Sequence, residues 1–341
     1  MSELGIGIIG SGFMGRTYAE TISKYCRGAR LVAVTGGSRA EALATDYAIT
    51  LEASVASLVK RDDIHAVFVT TPHHVHAEHA LAAAEAGKHL LIEKPMAHSV
   101  DACDAILSAC EKNNVNCSVA YSQRYRTCNI AAKRLIDEGA IGPIRAMQEF
   151  ALVPLGLGGM PKWQSDAENL GILFGHGVHN FDRIRWFTGR EIQKVYAKCG
   201  NLVGEANVEG TSSVVMTLDD GTTANFWCSY EVPAPSFPMA AFRAWVIGER
   251  GLMDVDAYGD LRVSRDGVWE VAATQSPIDW QGKGFLDPVR LESYTLHCQE
   301  VIDCAAEGRP TEVTGHDGRQ AVAAALAAYE SSKTGREVVL K

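Results

Sequence analysis

The chain has no surplus of basic charge. Its 32 Lys and Arg stand against 41 Asp and Glu, a formal net charge of -9 over 341 residues. That balance argues against nucleic acid or an anionic membrane surface as the main partner. No apolar run approaches the roughly 20 residues that span a bilayer. The N-terminus lacks a basic n-region, and Leu4–Ile9 is too short for a cleavable apolar core. The expectation is a cytoplasmic protein with no membrane and no nucleic-acid partner. The nine cysteines are an odd, scattered set without a C-x-x-C. They resemble neither a disulfide framework nor a zinc ligand set, so free thiols are expected. Internal repeats and low-complexity segments are also missing.

What is present begins at once. Leu4-Gly5-Ile6-Gly7-Ile8-Ile9 is a short apolar strand that runs into Gly10-Ser11-Gly12-Phe13-Met14-Gly15. This is G-x-G-x-x-G between a strand and a helical stretch, Arg16 to Cys26, with a second strand at Arg30 to Val34. In such a βαβ unit Gly10 permits the tight turn, Gly12 lets backbone approach a pyrophosphate, and Gly15 lets helix and strand pack closely. Dinucleotide binding follows, with Phe13 and Met14 carried in the same loop.

The length calls for two domains. Residues 1–122 alternate strand and helix: Ala66–Thr70, His89–Ile92 and Asn116–Ala120 as strands, His76–Ala86 and Val100–Lys112 as helices. The expectation is α/β, an N-terminal Rossmann domain with a doubly wound parallel sheet. Residues 123–341 change character. A helix at Asn129–Glu138 precedes strand-like runs at 144–152, 195–199, 212–218, 222–230, 244–248 and 261–264, with hairpin signals at Asp219-Asp220-Gly221 and Asp266-Gly267. One helix is expected at about Gly177–Phe187 and another at Gln320–Ser332. This reads as a C-terminal α+β domain with an open, largely antiparallel sheet, for substrate binding and oligomerisation, whose last helix is free to pack back on the first domain.

The second strand ends Val34-Thr35-Gly36-Gly37-Ser38-Arg39. An NAD site usually places Asp or Glu there to hold the ribose hydroxyls. Here a hydroxyl and a guanidinium stand instead, groups suited to a 2′-phosphate. NADP is therefore the expected cofactor, with NAD left open.

An ordered series follows: Thr70-Thr71-Pro72-His73-His74-Val75-His76, Ala86-Gly87-Lys88-His89, Glu93-Lys94-Pro95, Tyr121-Ser122-Gln123-Arg124, Gly139-Ala140-Ile141-Gly142-Pro143, Lys162-Trp163 ahead of Gly171, and Gly177-Val178-His179-Asn180-Phe181-Asp182. On these motifs the chain resembles the glucose–fructose oxidoreductase / inositol dehydrogenase / rhizopine catabolism (Gfo/Idh/MocA) family over nearly its whole length. The resemblance implies hydride transfer between a nicotinamide and a hydroxyl-bearing carbon of a sugar, polyol or cyclitol. It places Glu93 and Lys94 at the nicotinamide, with Thr71, Pro72, His73 and His76 lining the cofactor, and makes Lys94 and His179 the catalytic pair. An ammonium after a parallel strand can favour a developing alkoxide, and a neutral imidazole can take the hydroxyl proton. Tyr121 and Arg124, at the expected domain junction, either contact substrate or hold the junction. Trp163, His176 and Asn180 are further substrate-side candidates. The histidines 73, 74, 76 and 79 have no carboxylate at ligand spacing, and no metal is expected.

The chain departs from the family at one place. Many members carry Asp four residues before the histidine, where this chain has Gly175 followed by His176. Either His176 replaces that group or Asp182 supports the helix from its far side. Three enzymatic readings stay open: a sugar, polyol or cyclitol dehydrogenase; a dehydrogenase of a carboxylated cyclic diol or hemiacetal, with Arg124 or His176 holding the carboxylate; and a redox-neutral hydrolase that retains its dinucleotide. An open sheet with one uncovered face further implies a homodimer or homotetramer joined through runs such as 212–218 and 222–230.

Overall fold

The computed structural model describes residues 3–154, 171–202, 207–237 and 241–340; Trp163 lies outside them. The chain forms two compact units, residues 1–122 with 278–319, and residues 123–277 with 320–341.

The first unit runs β1 (Leu4–Ile9), α1 (Phe13–Lys24), β2 (Ala29–Thr35), α2 (Ala40–Asp46), β3 (Thr50–Leu51), α3 (Val55–Val59), β4 (Ala66–Val69), α4 (His76–Glu85), β5 (His89–Ile92), α5 (Val100–Lys112) and β6 (Cys117–Val119). Its six strands are parallel, in the order β3-β2-β1-β4-β5-β6. All four residues of β4 are fully buried, as a strand covered on both faces requires. Successive crossovers run outward in opposite directions from β1 and β4. Their carboxyl ends therefore open a crevice, where such sheets take ligands.

A later helix, α8 (Pro288–Glu307), completes this unit. Asp287 caps it by accepting from the Val289 and Arg290 N–H groups, and Pro288 starts it. It places Cys298, Val301 and Ile302 in one core with Ile6, Ile8, Tyr18, Ile22 and Phe68. The sequence reading assigned residues 278–319 to the second domain, whereas they cluster with the first unit. A mixed apolar and polar helix carries no address for the sheet it covers.

The second unit holds α6 (Thr127–Asp137), β7 (Ile144–Leu152), α7 (Val178–Thr188), β8 (Ile192–Gly200), β9 (Thr211–Leu218), β10 (Thr223–Ser229), β11 (Arg243–Gly248), β12 (Gly251–Asp256), β13 (Asp260–Arg265) and β14 (Val268–Thr274). The unit division falls within α9 (Gly315–Thr334), and β15 (Val338–Val339) closes the sheet. The strand order is β14-β13-β12-β11-β7-β10-β9-β8-β15; β7 and β10 pair in parallel and the other pairs are antiparallel. The turn at Asp266 and Gly267 has φ of 53° and 78°, the double left-handed geometry of a tight hairpin. β12 and β14 were not anticipated. Asp254 and Asp256 interrupt the apolar pattern of β12, and β14 is nearly all exposed, so neither shows a buried alternation.

Register divides the sheet into two faces. One row is Ala197, Val214, Phe226, Glu149, Ala244, Val255 and Leu261, all buried, with α6 and α7 packed on that side. The opposite row is Tyr196, Val215, Asn225, Gln148, Trp245, Asp254 and Arg262. On it Tyr196, Val215 and Trp245 are about half exposed (50%, 51% and 48%). Among the described residues no helix is long and apolar enough to cross a membrane.

Candidate active site

In the first unit the glycine loop follows β1. Gly10 has φ of 110°, and a Cβ on it would lie 2.7 Å from the Thr70 backbone. A Cβ on Gly15 would lie 2.0 Å from the Gly10 carbonyl oxygen. These two positions admit only glycine. Gly12 differs: a Cβ there would meet nothing within 4 Å, so it borders open space. Gly12 is also the N-cap of α1, with no side-chain cap and no acidic residue in the first turn. The first N–H groups of α1 therefore face that space ready for an anion. A cavity of about 330 Å³ adjoins the loop, bordered by Ser11, Gly12, Phe13, Arg16, Arg39 and Lys283 among others. A second, of about 660 Å³, is bordered by Gly36, Gly37, Ser38, Leu51, Glu41 and Glu52. An open glycine, an uncapped helix start and two adjoining cavities fit a dinucleotide.

Arg39 is exposed, and its backbone N–H donates to Ser11 Oγ at 3.2 Å. Met14 packs on the core of the unit. Phe13 is held by Phe285, with ring centroids 4.2 Å apart, and by the Arg290 guanidinium 5.0 Å from its ring. Arg290 also donates to the Phe285 carbonyl at 2.6 Å and to Thr17 Oγ1 at 3.3 Å. Sequence reasoning missed Lys283, Phe285 and Arg290, because no local signal joins a late helix to an early loop.

The loops after β4 and β5 are tied by a histidine. His76 is fully buried, with Nδ1 2.8 Å from the Pro95 carbonyl oxygen and Nε2 2.7 Å from that of Thr71. Burial pushes its imidazole down to about 4, with the two carbonyl oxygens opposing, and a neutral ring, having one N–H, donates to only one of them. Both polar atoms of His76 thus face backbone, which makes it a brace between the two loops. Pro72 precedes the short 3-10 turn His73–Val75, in which His73 is buried. The Thr71 hydroxyl lies 3.1 Å from His79 Nδ1. Glu93 ends β5, buried, accepting from the Tyr18 hydroxyl at 2.8 Å and the Lys94 N–H at 3.2 Å. Burial raises its carboxyl above the ordinary range. Burial lowers the Lys94 ammonium, with the Glu93 charge opposing. The Lys94–Pro95 peptide is cis. Tyr121 is fully buried just after β6 in this unit.

In the second unit a single π turn, Leu173–Gly177, leads into α7. His176 stacks on Phe242 at 5.6 Å, and its Nδ1 is hydrogen-bonded to the Tyr230 hydroxyl. His179 meets the same Phe242 edge-on at 5.8 Å and is 7% exposed. The place of the missing aspartate is taken: a Cβ on Gly175 would lie 3.1 Å from the Tyr230 hydroxyl. Burial holds that phenol well above its ordinary pKa, so it stays protonated.

Asn180 is fully buried and donates to Glu149 Oε2 at 2.6 Å, a contact inside the unit. Arg124 makes a two-pronged pair with Asp182, Nε to Oδ2 at 2.9 Å and Nη2 to Oδ1 at 2.5 Å, beside Trp186. One edge of its guanidinium is filled by that carboxylate, which ties it to α7. The neighbouring Arg126 was not singled out from sequence. It is 3% exposed, its guanidinium lies 4.9 Å from the Tyr258 ring centroid, and its Nε and Nη1 have no hydrogen-bond partner among the described residues. In an Arg-Tyr-Arg run nothing local tells the paired arginine from the other.

Residues 4–121 match the family model described as oxidoreductase family, NAD-binding Rossmann fold, and residues 130–254 match the GFO/IDH/MocA C-terminal domain. The chain belongs to the Gfo/Idh/MocA family of NAD-binding oxidoreductases. It is 26% identical to an inositol 2-dehydrogenase of Saccharopolyspora erythraea, over 97% of this chain and 94% of that one. It is 30% identical to levoglucosan dehydrogenase of Pseudarthrobacter phenanthrenivorans, over 55% of this chain and 52% of that one. A levoglucosan dehydrogenase solved with NADH and L-sorbose shares the fold, with TM-score 0.87, 22% identity and full coverage of both chains.

The raised Glu93 carboxyl gives stability a definite pH dependence. A folded pKa above the unfolded value means that the stabilising, protonated form is complete below about 4.5 and is lost as pH rises through the folded pKa. Glu93→Gln keeps an acceptor for Tyr18 and removes the buried charge. Its melting temperature should exceed wild type at pH 8, and the gap should shrink toward pH 4.5. Thermal melts across that range check this; a gap that is negative or flat with pH contradicts it.

Proposed function

We propose that the protein is an NADP-preferring dehydrogenase that moves hydride between the nicotinamide and a hydroxyl-bearing carbon of a sugar, polyol or cyclitol. The observation that carries this reading is Lys94. It directly follows β5 on the carboxyl side of a parallel sheet, its ammonium desolvated and its backbone held by Glu93 and by the His76 brace on Pro95. The names of the inositol and levoglucosan relatives support a ring hydroxyl as the reacting group. The bound nicotinamide supplies a hydride acceptor in oxidation and a hydride donor in reduction. Lys94 donates a hydrogen bond to the reacting oxygen and stabilises negative charge on it. His179 accepts the hydroxyl proton, and His176, bonded to Tyr230, packs on the same Phe242 ring.

The test is a screen of sugars, polyols and cyclitols at the nicotinamide absorbance. Lys94→Ala and His179→Ala should each lower kcat by at least about 100-fold, the lower range for a lost general base or oxyanion partner. Cofactor affinity by fluorescence titration should stay within a few-fold. Near-normal turnover in either variant removes that residue from the chemistry.

NADP preference is supported by the turn after β2, which offers Ser38 and Arg39 and no carboxylate, and by Arg16, Arg39 and Lys283 bordering one cavity. Glu41 and Glu52 border the neighbouring cavity, so the choice is a contest of charges that measurement decides. Arg39→Ala should weaken NADP by on the order of 1–3 kcal/mol, a lost charge-assisted hydrogen bond, and NAD little. Equal losses for both cofactors would show that Arg39 does not read the phosphate.

We also propose that copies of the chain associate through the half-exposed sheet face with Tyr196, Val215, Trp245 and Ile247. Light scattering should report a dimer or tetramer at micromolar concentration, and Trp245→Glu should shift it toward monomer. A wild-type monomer rejects this assembly.

A further inference from the structure

We infer that the substrate carries a carboxylate and that Arg126 receives it. The inference takes its assay from the dehydrogenase reading, and its site from the second unit alone.

Five arginines are buried in the described residues: 124, 126, 183, 185 and 290. Arg124 is paired with Asp182, Arg183 with Glu149, and Arg185 with Glu191. Arg290 donates to a carbonyl and two hydroxyls. Arg126 alone has no acceptor among the described residues, and both its Nε and its Nη1 are buried. Those two nitrogens belong to different edges of the guanidinium, each completed by Nη2, so neither planar fork is filled. A guanidinium cannot lose its proton to escape the burden. A buried, uncompensated charge is strongly unfavourable, and it persists where something outside the fold compensates it.

The surroundings say what that something is. Arg126 occupies the N-cap position of α6 without a side-chain capping bond, its guanidinium against the Tyr258 ring. Gln123 donates from Nε2 to the Tyr258 hydroxyl at 3.1 Å, and the other end of its amide is buried without a partner. Tyr258 neighbours Phe242, ring centroids 6.2 Å apart, and Phe242 touches both His176 and His179. A planar cationic fork and an unfilled amide therefore sit two aromatic rings, Tyr258 and Phe242, from the two candidate histidines. A carboxylate matches the fork edge to edge, and a hydroxyl beside it matches the amide. The ligand these groups describe is a polyhydroxylated acid: a uronate, an aldonate or a ring acid of like size.

The experiment uses the full chain with saturating NADP and, separately, NAD. Matched pairs are compared: D-glucuronate with D-glucose, D-galacturonate with D-galactose, and D-gluconate with D-sorbitol. In wild type, kcat/KM for at least one acid should exceed that of its neutral partner by on the order of 100-fold, as a paired buried charge discriminates. In Arg126→Met the ratio should collapse to within a few-fold, with Arg126→Lys between. Thermal shift with each acid separates binding from turnover. A shift in wild type that Arg126→Met loses, without turnover, upholds the carboxylate site and sinks the dehydrogenase reading. Neutral sugars turned over as well as the acids, or a ratio unmoved by Arg126→Met, overturns the site and leaves the dehydrogenase reading standing. Neither shift nor turnover with any acid overturns the site. A ligand-free arm completes the test: Arg126→Met should raise the melting temperature by about 2–4 °C, whereas Arg124→Met should lower it. A fall in both variants would show that Arg126 is compensated within the fold and overturn the inference.

Discussion

A carboxylate with no exposure to water, Glu149, sits in the middle of the inner face of the nine-stranded sheet, between Phe226 and Ala244. Such a charge is tolerable only when fully answered. Arg183 answers it at 2.9 Å and Asn180 at 2.6 Å, both from α7 and three residues apart, hence on one side of that helix. Two contacts on one turn fix the helix's rotation as well as its position. Arg183 also reaches the Phe242 carbonyl at 3.5 Å, and Phe242 is the ring against which His176 and His179 lie. The setting of both histidines thus descends from one buried anion. Removing either partner of that pair would leave the other uncompensated, at about 3–5 kcal/mol by general experience of buried pairs.

The two units solve the same problem by different means. In the first, a buried ring stands between two stretches of backbone: His76 lies between carbonyl groups of the loops after β4 and β5, and burial disfavours its charge. In the second, charge is matched to charge: Arg124 with Asp182 and Arg183 with Glu149, both fully inside. Gly175 and Tyr230 add a steric constraint. The phenol stands 3.1 Å from where a Cβ would begin, so a carboxylate at 175 requires that hydroxyl to move.

Much of this was legible because the informative residues are local. G-x-G-x-x-G after an apolar strand, the fully buried Ala66–Val69 run and Glu93-Lys94-Pro95 each state their structure within a few positions. The alternating runs that became β9 and β10 announced themselves through period-two burial. What escaped reading depends on distance along the chain. Nothing in Pro288–Glu307 says which unit it covers, nothing near Phe13 points to Arg290, and nothing in Arg124-Tyr125-Arg126 says which guanidinium has a carboxylate. β14, exposed along its length, offers no apolar face to recognise. Pairing partners and unfilled forks are properties of the folded state, which local pattern does not encode.

The placement of α8 has a consequence for how the molecule comes into being. Tyr18 and Ile22 of α1 share a core with Cys298, Val301 and Ile302. During synthesis the first six strands emerge early, yet the flank of α1 stays wet until the chain has grown past residue 302. The dinucleotide half is therefore begun first and finished late, with all but the last strand of the second sheet made in between. A nascent chain must carry an apolar helix flank through most of its translation, and any release before α8 leaves that flank exposed.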